Sequence, residues 1–68
     1  MMNLTELETE LNKIDLTKYN NFKLSNCMTI LNAKSFVDVS VLTLKNNAKK
    51  RAYLPTFERL INFYNMIK

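Results

Sequence analysis

A chain of 68 residues with a formal net charge of +4 makes one domain at most, and one so small that burial alone stabilises it only marginally. The single cysteine, Cys27, and the lack of histidine exclude an internal disulfide and the usual structural zinc sites, and an apolar fraction of 47% excludes a disordered chain. Glycine is absent, which removes every glycine-rich phosphate loop; ten asparagines are available instead for left-handed turn positions.

The first element is a helix over about residues 4–14. Asn3 is a suitable N-cap, Glu6 stands three residues on, and Leu4, Leu7, Leu11 and Ile14 recur at spacings that line one narrow seam. Glu6, Glu8 and Glu10 suit the positive end of its dipole. The same stretch is acidic where a secretion signal would be basic and then apolar, and nothing approaches the ~20 apolar residues of a membrane span. A cytoplasmic protein is expected.

Residues 15–31, DLTKYNNFKLSNCMTIL, have no helical period and read as a long packed connector, pinned by Leu16, Tyr19, Phe22 and Leu24. Its last part, CMTIL, fits a short strand or one helical turn equally well. Cys27, beside Met28 and Ile30, reads as a small buried hydrophobe rather than a nucleophile. Asn20-Asn21 marks a break, and Asn46-Asn47 marks another.

Between those breaks lie residues 33–45. Val37, Val39 and Val41 alternate with polar residues as in a strand, yet Asn32 is a good cap, and Ala33, Phe36, Val37, Ser40, Val41 and Leu44 share one helical face. The length favours a helix, and a lone strand would lack a partner. A third helix spans about 53–67, with Pro55 in its first turn and Phe57, Leu60, Ile61, Tyr64 and Ile67 on an apolar arc. The expected fold is therefore all-α, a single domain over residues 1–68.

Charge is unevenly spread. Residues 1–17 carry a net −3 and residues 18–68 a net +7, with Lys45, Lys49, Lys50, Arg51 and Arg59 gathered around the start of the third helix. Such a patch suits an acidic partner, nucleic-acid backbone included. The third helix also places Phe63 at the edge of its arc and Met66 outside it, a Met, aromatic and Arg combination common at protein interfaces. The candidate partner-binding residues are thus Lys45, Lys49, Lys50, Arg51, Arg59, Phe63 and Met66. Asp38 and Glu58 fall on polar faces, and no base stands near Ser25, Ser35 or Ser40, so the chain reads as a non-enzyme without cofactor or metal.

The order of Leu4 and Leu7, Leu24, Ile30, Phe36-Val37, Tyr53-Leu54-Pro55 and Glu58-Arg59-Leu60 resembles a family of short uncharacterised proteins of Bacteroidetes genomes and their phages or mobile elements. The resemblance implies a helical fold and a mobile-element setting, with no activity attached. In size and lack of catalytic groups the chain is similar in kind to anti-CRISPR proteins. Two functional expectations follow. One is a small phage protein that modulates a host machine through protein or protein–RNA contacts; the other is a basic nucleic-acid-binding or regulatory protein. A homodimer stays open under both.

Overall fold

The computed structural model describes residues 2–25, 27–46 and 54–68, with the side chain of Leu54 left aside. Helix α1 runs Leu4–Asn12, a 3₁₀ turn Leu16–Tyr19, strand β1 Phe22–Lys23, strand β2 Thr29–Ile30, helix α2 Ala33–Asn46 and helix α3 Leu54–Ile67.

Helix α1 starts where its cap predicts: the Asn3 side chain accepts a hydrogen bond from the Glu6 N–H at 2.8 Å. It ends two residues short of expectation. The Lys13 N–H reaches back to the Glu10 carbonyl and the Ile14 N–H to the Leu11 carbonyl, both at 3.2 Å, tightening the last turn. Asp15 then opens the 3₁₀ turn by accepting from the Thr17 N–H (3.2 Å) and the Thr17 hydroxyl (2.6 Å).

The all-α expectation needs a correction. The connector holds an antiparallel hairpin in which Phe22 pairs with Ile30 and Lys23 with Thr29. Period two places Phe22 and Ile30 inward, half-buried and buried, and Lys23 and Thr29 outward. Two flanking bonds extend the pairing, Asn21 N–H to Leu31 O and Leu24 N–H to Met28 O at 2.7 Å. A two-residue strand is too short to announce itself by alternation, which is why the sequence left CMTIL open between strand and turn. The turn closes through Cys27 N–H to Leu24 O at 3.0 Å, with Cys27 at φ 68°, the left-handed position that glycine commonly fills in hairpins with three-residue loops. Among the described residues Asn21, at φ 63°, is the other such residue and sits at one of the breaks read from the sequence.

Helix α2 resolves the strand-or-helix ambiguity as a helix. Two asparagines hold its N-terminus: Asn32 accepts from the Ser35 N–H, and Asn20, from across the connector, accepts from the Ala33 N–H, both at 3.0 Å. Ala33, Val37, Ser40, Val41 and Leu44 are buried, as the helical wheel predicts; Phe36 is half-buried.

The three helices pack pairwise, and the 3₁₀ turn lies against α2. Leu7 and Leu11 of α1, Leu16, Leu24 and Ile30 of the connector, the apolar face of α2, and Leu60 and Phe63 of α3 form one core. Here α3 departs from its predicted face. Phe63 is fully buried, whereas Phe57, Ile61 and Tyr64 are only partly so. The reason lies in the connector and α2: Tyr19 and Phe22 of the connector and Phe36 of α2 meet the Phe63 ring edge-on, with centroids at 6.4, 5.4 and 5.4 Å. Tyr19 also packs edge-on against Phe22 at 6.1 Å, and its hydroxyl donates to the Ile67 carbonyl at 3.5 Å, a long bond.

Candidate functional site

Of the residues expected to meet a partner, Lys49, Lys50 and Arg51 lie outside the described residues. Phe63 is corrected from surface to core: enclosed by Tyr19, Phe22 and Phe36, it has no surface left to offer. Met66 is 45% exposed, and Arg59 is exposed. Cys27 is likewise corrected, since the turn that requires its left-handed backbone holds it outside the core, where it is exposed.

Lys45 and Arg59 do not form one cluster. Lys45 lines a groove between α1 and α2 with Glu8, Asn12, Asp38 and Leu42, whereas Arg59 lines a groove on the other flank of α2. The α2 wheel explains this: Lys45 projects on the side of Asp38 and Val41, and the residues facing α3 are Phe36, Ser40 and Thr43. Lys45 is also engaged within the chain, its Nζ standing 3.0 Å from each carboxylate oxygen of Glu8. This pair bridges the acidic first helix and the basic remainder, a tie that spacing could not reveal because the partners are far apart in sequence.

Two further cations are paired locally, Lys13 with Glu10 and Lys34 with Asp38, each at 2.9 Å. The hydrogen bond from the Lys13 ammonium, and then its charge, hold the Glu10 carboxyl below its usual range and raise Lys13 in turn. Asp15 is lowered as well, first by the Thr17 hydroxyl and then by the Thr17 N–H. Lys13 and Asp15 are exposed and Glu10 is half-buried, and the shifts report these local contacts. Among the described residues, no group of three Asp, Glu or Cys side chains stands close enough to hold a metal ion. No helix among them is long and apolar enough to cross a membrane.

The groove between α2 and α3 is the site with the most mixed chemistry. It encloses about 300 Å³. Met28, Phe36 and Val39 give it an apolar floor, Ser35, Ser40, Thr43 and Thr56 supply hydroxyls, and Arg59 is its cation. Among the described residues Arg59 makes no ion pair. Met28 reaches the groove because the hairpin folds back beside α2, so the connector of residues 15–31 contributes to a site whose expected residues were all placed at or after Lys45.

A family model described as a domain of unknown function (DUF6965) matches residues 2–68. The chain belongs to that family. The match spans nearly the whole chain, so the helices, the hairpin and both grooves all lie within the family's domain. No match is found among curated proteins or solved structures.

Proposed function

We propose that this domain is a binding protein rather than a catalyst, and that it docks an acidic, partly apolar segment of another protein along the α2–α3 groove. The observation that carries the reading is Arg59, an exposed guanidinium with no carboxylate partner among the described residues, set beside Met28, Phe36 and Val39. Guanidinium offers a planar donor fork suited to a carboxylate, and a partner seated on Met28, Phe36 and Val39 excludes water from that bond. Met66, exposed on the same helix, extends the apolar contribution of α3. The mobile-element setting implied by the sequence resemblance makes the partner a host macromolecular machine that the domain modulates or inhibits, through protein or protein–RNA contacts.

The test is capture from host lysate with the intact chain and with Arg59→Glu. A partner retained by the first and weakened at least about tenfold by the second, with thermal unfolding unchanged, supports the reading. A partner indifferent to Arg59→Glu, or none at all, sinks it.

A second reading, binding of nucleic-acid backbone, draws on the net +7 of residues 18–68 and on Lys18 and Lys23, which are exposed and in no ion pair among the described residues. Against it, Lys13, Lys34 and Lys45 already face carboxylates of the same chain, which dilutes the positive field. Titration of plain RNA and duplex DNA separates the two, because backbone binding appears at low salt and falls steeply as salt rises.

A further inference from the structure

Helix α2 carries a second seam. Asn32, Ser35, Val39, Leu42 and Asn46 recur at alternating steps of three and four, and all five are exposed, on the side opposite Ala33, Val37, Val41 and Leu44. Alternate three- and four-residue steps are the spacing by which one helix seats another. At the middle of this seam Val39 and Leu42 are each 60% exposed. One flank carries charge of both signs, Asp38 and Lys45; on the other stand the uncharged Phe36 and Thr43 of α2, with Arg59 of α3 in the groove beside them.

We propose that a second copy of this chain covers the seam, with the two α2 helices antiparallel across a two-fold axis. Antiparallel packing sets Val39 of one copy against Leu42 of the other, twice, with Ser35 opposite Asn46 at both ends. In that register the flanking residues that meet are Asp38 and Lys45 of opposite copies, again twice, and Phe36 meets Thr43 on the other flank. A parallel arrangement gives no such match, because it places Asp38 beside Thr43 of the other copy. The new pairs also join those already present within each chain. Glu8, Lys45, Asp38 of the second copy and its Lys34 form a run of alternating sign, since Lys45 faces Glu8 and Asp38 faces Lys34 at home. A seam whose charges are self-complementary under a two-fold axis specifies its own copy as occupant.

The scale is that of a weak dimer. A 14-residue helix is about 21 Å long, and about 500 Å² from each copy, roughly a tenth of the 4,815 Å² surface, reaches the lower edge of specific interfaces. A dissociation constant on the order of 100 µM follows for a contact with one small apolar layer at its centre. The seam and its flank share Ser35, Phe36, Val39 and Thr43 with the Arg59 groove, so a second copy seated here competes with a partner docked there.

Sedimentation of the full chain from about 10 µM to about 1 mM tests the dimer across that constant. The intact chain should pass from monomer to dimer, and Leu42→Glu should stay monomeric while unfolding at the same temperature. Asp38→Lys and Lys45→Glu should each be monomeric alone, by like-charge repulsion, and should form a dimer when mixed in equal amounts. An intact chain that is monomeric throughout overturns the proposal and leaves the seam to a different occupant. So does a dimer that tolerates Leu42→Glu, or a mixture of the two charge variants that fails to associate.

Discussion

Helix α1 and the connector that follows it enter the same core by opposite means. In α1 the leucines repeat at helical spacing, so one regular element delivers Leu7 and Leu11 to the interior together. The connector has no period, and each inward side chain is placed by its own local device. Asp15 winds the turn that carries Leu16 and Tyr19, Asn21 takes the left-handed bend before Phe22, and the hairpin brings Leu24 and Ile30 inward. A regular element thus tolerates the loss of one local bond better than a connector does, because its neighbours share the same geometry. The connector nonetheless reaches further into the fold, since Tyr19 and Phe22 decide which face of α3 is covered.

The sharpest way to break this comparison is at the shared ring. Phe63→Ala removes the side chain on which Tyr19, Phe22 and Phe36 converge, and should cost about 3–5 kcal/mol, enough to unfold most of a domain this small. Chemical denaturation should show it, and Phe57→Ala, on the face the sequence alone would favour, should cost clearly less. Equal losses would mean that the aromatic cluster does not organise α3.

A smaller effect sharpens the role of the connector's polar devices. Asn20→Ala deprives the Ala33 N–H of its side-chain partner and should cost about 1 kcal/mol. The same change at Asn3 should cost less, about 0.5 kcal/mol, and through α1 alone. Hydrogen exchange tells them apart: loss at Asn20 should speed exchange in both the hairpin and the first turn of α2, whereas loss at Asn3 should speed only α1.

The smallest expected change is a gain. Cys27 holds φ 68° with a side chain, so Cys27→Gly should stabilise by roughly 0.5–1 kcal/mol, the relief of ~1–2 kcal/mol of left-handed strain less the extra entropy of an unfolded glycine. A fall in stability would mean that the exposed thiol makes contacts worth more than that strain.

Much of the helical frame was legible. The caps at Asn3 and Asn32, the break at Asn21 and the inward face of α2 are local statements about periodicity and side-chain hydrogen bonding, and they hold in the folded chain. The candidate site was less so. Met66 and Arg59 are exposed as expected, but Phe63 moved inward and Lys45 went to the other flank of α2, beside Glu8. Both departures come from residues distant in sequence, and no spacing rule carries information across such a separation.

The division has a physical cause. By itself the sequence determined where helices begin and which residues of α1 and α2 face inward, because helical geometry repeats within a few residues and asparagine caps act on their immediate neighbours. Only the tertiary structure decided that Phe63 is central, that Cys27 is outside and that Arg59 borders a groove floored partly by Met28. Each of those depends on how a two-stranded hairpin lies across two helices. A hairpin of that length is stabilised by what it packs against, more than by its own pattern.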